Sequence, residues 1–249
     1  MKYIQDYTAR KDLIGKYGNS ALMLYALQLR FNIADIHAVA SDALTDGSED
    51  KKCDLIYVDT NTGIAVVAQG YIRKDADETS LAKANKASDL NTAAAWIFTR
   101  EVDEVPEQIR EQVKALQSGI LDGTINTIYF WYVHNLNENN NPDVKEELRT
   151  LQSSARQLVK GIYPDNDIEI LAIEVGNETL EKWFNSSTKR ITITESCIVD
   201  TIDQGFEISG KSWKAYVTAV SAMWLKQVYD KYQDDLFSGN PRNYLGSGK

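Results

Sequence analysis

Apolar positions along the chain recur with two periods, and the switches between them mark its elements. From 19 to 31, "NSALMLYALQLRF" spaces its apolar residues as a helix with Asn19 or Ser20 as N-cap, and "IADIHAVASDAL" follows as a shorter one. The Asp- and Gly-rich stretch "TDGSED" breaks the pattern as a turn. Two β-branched runs, "DLIYVD" and "GIAVVAQGY", flank the short loop "TNTG", which is a hairpin signal. Helical spacing returns in "SLAKANKASDLNTAAAWIF" and in "PEQIREQVKALQSGIL", the latter with Pro106 near its first turn. "TINTIYFWYVH" then reads as a long strand, "PDVKEELRTLQSSARQLVKGI" as a helix and "DIEILAIEV" as a strand. This βαβ rhythm predicts an α/β fold with a mixed, partly parallel sheet flanked by helices. The Asn-rich "NLNENNNPD" is expected to be a mobile, solvated connection. From 190 onward, "RITITESCIV" and "WKAYVTAVSA" read as strands and "SAMWLKQVYDKY" as a helix capped by Ser221.

Composition narrows the function classes. The 249 residues are 43% hydrophobic and 25% charged, enough to bury a full core. Apolar runs such as "IAVVA" and "AAAWIF" fall far short of the roughly 20 residues of a membrane span, and the first 18 residues lack the apolar segment of a signal peptide. A cytoplasmic protein without a membrane partner is expected. The cysteines, Cys53 and Cys197, form no CxxC pair, and the histidines are His37 and His134. A zinc or imidazole-rich site is therefore disfavoured, and a bound metal is expected to take oxygen ligands, as magnesium, manganese or calcium does. A net charge of -9 opposes nucleic-acid binding through bulk electrostatics and leaves room only for a local basic groove, with lysines and arginines gathered at "YIRKD", "LAKANKAS" and "STKR".

The hairpin holds the candidate chemistry. Asp54 opens its first strand and Gln69 lies near the end of the second, so antiparallel pairing brings both to one end of the sheet, with the Gly70 carbonyl facing the same cavity. If the strand stays regular, Gln69, Tyr71 and Arg73 share a face and Lys74 points the other way, which makes Arg73 the better-placed cation. Oxygen ligands that fix a divalent cation, with a cation beside the attacking water, are what phosphodiester hydrolysis requires. The acids of "DNDIEILAIE" and Glu207 are assigned to surface or strand-edge solvation.

This arrangement resembles the PD-(D/E)xK nuclease core, in which a strand acid is followed on the next strand by an acid or glutamine, any residue, and a lysine. More widely, "ALTDGSEDKKCDLIYVDTNTGIAVVAQGYIRK" resembles the amino-terminal region of abortive infection phage resistance (AIPR) proteins. There an Asp-Gly-two residues-Asp turn leads into the strand acid, and the later strand ends in glutamine, a small residue, lysine and tyrosine. At the far end, "DLFSGNPRNYLG" resembles the segment that opens that family's following domain. The resemblance implies a restriction-endonuclease-like α/β domain over 1–188 and a β-rich C-terminal α/β extension over 189–249, the chain stopping as the next region begins. It implies a phage-defence nuclease using Mg2+ or Mn2+, with Asp54, Gln69 and Gly70 as metal ligands, Asp50 as a supporting acid in the entry turn, and Asp46 and Gly47 shaping that turn. Nucleic acid, DNA first, is the implied partner, and a phage protein or a second copy of the chain is allowed. The family lysine falls at Tyr71, so Arg73, a helix lysine such as Lys83, or Tyr71 itself must serve if catalysis survives. Otherwise the domain is a degenerate binding or sensing module, or a structural part of a defence protein.

Overall fold

The structure is a computed structural model that describes residues 1–45, 51–188, 199, 201–202, 204–210, 214–232 and 236. Contacts divide the chain into one compact unit over Met1–Asn185 and another over Ser186–Asn243. The first unit opens with α1 (Lys2–Ala9), α2 (Lys11–Tyr17), α3 (Ala21–Phe31) and α4 (Ile36–Ala43), followed by the hairpin β1 (Leu55–Asp59) and β2 (Ile64–Tyr71). Next come α5 (Ala84–Thr99), α6 (Glu107–Leu121), β3 (Thr127–His134), α7 (Pro142–Ile162), β4 (Glu169–Val175) and α8 (Asn177–Thr188). The second unit contains the antiparallel pair β5 (Phe206–Ser209) and β6 (Lys214–Val217), then α9 (Ala222–Tyr232).

The four strands of the first unit lie in the order β1-β2-β3-β4, with β1 antiparallel to β2 and the other pairs parallel. The fold is thus mixed α/β. Side-chain alternation sends Ile56, Val67, Phe130 and Ile170 into a core shared with α5, α6 and α7. Leu55, Val66, Trp131 and Val175 enter a second core with α1, α3 and α4. Strand β3 is buried at every position, which explains why "TIYFWYVH" is nearly continuous in apolar residues rather than alternating.

Trp131 anchors the second core, stacked on Phe31 at a centroid distance of 5.6 Å and tilted against Trp183 at 5.0 Å. Its indole N–H is buried without a hydrogen-bond partner. That costs roughly 1–3 kcal/mol, less than the roughly 4–6 kcal/mol gained by burying some 150–250 Å2 of aromatic surface.

Several elements differ from the sequence reading. Helices α1, α2 and α8 and strand β5 are not among the elements that the sequence pattern predicts. The second predicted helix begins only at Ile36, because the Asp35 carboxylate caps it by accepting from His37 and Ala38 N–H. Ser20 stands before α3 but makes no side-chain cap bond there, since a 3-10 turn over Gly18–Ser20 leads into the helix. The segment "RITITESCIV" lies outside the described residues except for Val199, which is in no element. Among the described residues, no helix is long and apolar enough to cross a membrane.

The Asn-rich connection before α7 is bonded to the body of the unit rather than simply solvated. Asn135 donates to the Arg73 carbonyl and accepts from its N–H, both at 2.9 Å. The Asn141 side chain donates to the Ala82 carbonyl at 2.8 Å and caps α7 by accepting from Asp143 N–H. Asn141→Ala should therefore lower stability by roughly 1–2 kcal/mol through lost cap and loop tie. Asn140→Ala, which loses a longer, exposed bond to the Glu78 carbonyl, should stay within about 0.5 kcal/mol. Urea denaturation of the two variants checks the order.

Candidate functional site

The hairpin's geometry builds the site: the β1–β2 register runs from Asp59 opposite Ile64 to Leu55 opposite Ala68. One step further, Asp54 N–H donates to the Ala68 carbonyl at 2.8 Å, so the ladder continues past the end of β1. Asp54 then faces the end of β2. Its Oδ2 accepts from Gly70 N–H at 2.8 Å and from Gln69 Nε2 at 2.5 Å. Gln69 alternates with Val67 along β2, and its bond to Asp54 joins the two residues at the strand end, as the hairpin spacing predicts. The chain entering β1 is pinned by Thr45, whose Oγ1 donates to the Cys53 carbonyl at 2.6 Å and whose N–H donates to the Asp54 carbonyl.

These groups border a cavity of about 290 Å3, closed by Ser20 and Met23 on one side and Lys86 on the other. Gly70 permits the close approach. A Cβ there would stand 3.2 Å from the Met23 thioether and 3.4 Å from Asp54 Oδ2. Lys86, near the start of α5, lines the cavity, and its ammonium pairs with Asp89 at 3.5 Å.

Arg73 does not play the part expected of it. Strand β2 ends at Tyr71, so regular alternation stops two residues earlier, and Arg73 is exposed and absent from the cavity lining. The cation is Lys86, from the lysine-bearing stretch "LAKANKAS" but three residues beyond Lys83. Lys83 instead lies over the Tyr71 ring at 5.3 Å from its centroid, a cation–π contact. Tyr71 is half-buried and packs on the core beneath α5 while also bordering the cavity. Asp46, Gly47 and Asp50 lie outside the described residues.

The polar groups continue across the sheet. Tyr132 lies opposite Gln69, His134 opposite Tyr71, and Glu174 opposite Tyr132. The Tyr132 hydroxyl accepts from Lys83 N–H at 3.1 Å, and burial pushes its ionisation well above the ordinary phenol range. His134 is fully buried. Its Nδ1 accepts from Leu136 N–H, so the proton sits on Nε2, which donates to Glu174 Oε1 at 3.0 Å. Glu174 was expected at a solvated strand edge, yet its side chain is only 11% exposed. The signal for this pair was present in the sequence as a histidine ending an all-apolar strand, but its partner lies 40 residues away.

The donor set around Asp54 is one carboxylate, the Gln69 amide oxygen and the Gly70 carbonyl. These are hard oxygen ligands that fit Mg2+ or Mn2+, which often keep several waters and use one or two carboxylates plus substrate phosphate. Gln69 would have to turn its amide over to offer oxygen. Among the described residues, no group of three or more His, Cys, Asp or Glu side chains could hold a metal. Comparison with family models, with curated proteins and with solved structures found no match.

Gln69→Glu tests the donor geometry. A second carboxylate at this site would repel Asp54, raising one folded-state pKa above its unfolded value. The resulting term favours folding below about pH 4 and is lost as pH rises through the raised value. At pH 7 the variant should be roughly 1–3 kcal/mol less stable than wild type. Mn2+ should restore much of the loss, read as a rise in Tm larger than in wild type.

Proposed function

We propose that the first unit is the nuclease-like domain of an AIPR-type phage-defence protein, with a restriction-endonuclease-like core, acting in the cytoplasm on nucleic-acid phosphodiesters, DNA first. The observation that carries this reading is the meeting of Asp54, Gln69, Gly70 and Lys86 at one cavity, beside the end of a hairpin strand. Asp54, the Gln69 amide oxygen and the Gly70 carbonyl would hold the divalent cation, which supplies Lewis-acid stabilisation of phosphate charge. Lys86 takes the place of the family lysine from another element. Its ammonium provides a point charge for a phosphate oxygen or a positioned water. Tyr71 borders the same cavity and shapes it.

A second reading has its own support. Asp54 Oδ2 already accepts two protein hydrogen bonds, and a tyrosine stands where the family has lysine. Both features suit a domain that holds nucleic acid or a phage component without cutting it.

The assay is cleavage of DNA and RNA in Mg2+ or Mn2+. Under the nuclease reading the wild type cuts, and Asp54→Ala and Lys86→Ala each reduce the rate by roughly 100-fold or more. Tyr71→Lys should raise cleavage, and adding Asp54→Ala should abolish the gain, because the lysine acts only on a ligand already held. Binding without cleavage in both wild type and Tyr71→Lys supports the second reading instead.

A further inference from the structure

The sheet edge opposite the hairpin carries a separate cleft. Helix α7 lies along β4, the outer strand, and between them opens a space of about 510 Å3, within the range of small-molecule sites. It shares no lining residue with the Asp54 cavity. Lys145, Arg149 and Arg156 all border it. At positions i, i+4 and i+11 they occupy one face of α7, in a row roughly 16 Å long.

The strand's outward-facing backbone sets the orientation of two donors. Arg156 gives Nε and Nη2 to the Ile170 carbonyl at 3.2 and 3.0 Å, while Gln152 Oε1 accepts from Ala172 N–H at 2.8 Å. Both bonds cover a strand edge that pairs with no other strand among the described residues. They also fix which atoms remain: among the described residues, the Arg156 Nη1 group and the Gln152 NH2 group have no protein partner. Lys145 and Arg149 likewise form no ion pair there.

Two acceptor groups of the cleft are already occupied. Glu174 receives His134 Nε2–H on Oε1 and Asn139 N–H on Oε2, the latter at 3.4 Å. Gln152 Oε1 is taken by the strand. Three cations and a fixed amide NH2 group thus face a space whose one lining carboxylate is engaged. Such a surface favours a ligand that is anionic and rich in acceptors.

We propose that this cleft binds a phosphate-bearing ligand, its oxygens bridged by Lys145, Arg149 and Arg156. A free nucleotide and the backbone of a nucleic acid offer the same phosphate chemistry. The row of cations accommodates either one multiply charged phosphate group or successive phosphates of a strand.

The test uses the full chain with three probes: inorganic phosphate, a mononucleotide, and a short fluorescent oligonucleotide at low and moderate salt. The double variant Lys145→Ala/Arg149→Ala alters exposed side chains and should keep the wild-type thermal melt. It should weaken binding roughly 100-fold, about tenfold for each charge-assisted contact. Lys11→Ala/Lys114→Ala, with the same change in net charge away from the cleft, should remain within about twofold of wild type. Equal affinity for mononucleotide and oligonucleotide identifies a nucleotide site. Preference for the oligonucleotide, with affinity falling steeply in salt, identifies a strand backbone. Absence of binding to all three probes, or equal losses in the two double variants, would overturn the proposal.

Discussion

A pair of strands buried on both faces has room for polar side chains only at its ends. Strands β2 and β3 form such a pair, joined in parallel register from Ile64 opposite Thr127 to Tyr71 opposite His134. Their middles are apolar on both sides, with Ala65, Val67 and Phe130 toward one helical layer and Val66, Ala68 and Trp131 toward the other. Gln69, Tyr71, Tyr132 and His134 accordingly gather at the carboxyl ends. The ends of parallel strands are also where α/β sheets place ligand crevices. The location of the candidate chemistry is thus a consequence of the core's demand for dry strand interiors.

At those ends the protein satisfies its polar groups in two different ways. Beside β1, Asp54 draws the Gln69 amide and the Gly70 N–H onto one oxygen. These bonds hold the carboxylate in place without a neighbouring histidine. Across the sheet, Glu174 is oriented by the buried imidazole of His134. Removing one member of such a pair would leave a buried group unpaired, which costs more than the intact bond contributes. The two acids therefore mark different local designs, one beside a cavity with a lysine and the other beside a row of cations.

Edge protection adds a further constraint. Among the described residues no strand pairs with the outer side of β4, and α7 covers it with Arg156 and Gln152. Such cover discourages pairing with a foreign strand. It also orders long side chains that would otherwise lose much conformational freedom on meeting a ligand. The protection of the edge and the arrangement of donors in the cleft come from the same contacts.

Local pattern was enough to read α3, α5, α6, α7 and the strands β1 to β4, because helical and strand periods and turn residues act over a few positions. It was also enough to bring Asp54 to Gln69, since a short hairpin loop and a two-residue alternation leave little freedom. The family resemblance implies the same two residues. It could not supply Lys86, whose approach depends on how α5 settles against β2, nor end β2 at Tyr71 and so remove Arg73 from the face. The His134–Glu174 pair and the cleft beside α7 required the lateral order of β3 and β4. By itself the sequence determined the order of elements from α3 to β4 and the meeting of two hairpin residues. Tertiary structure alone decided which cations and which buried acid join them, because those distances depend on packing across many tens of residues rather than on local periodicity.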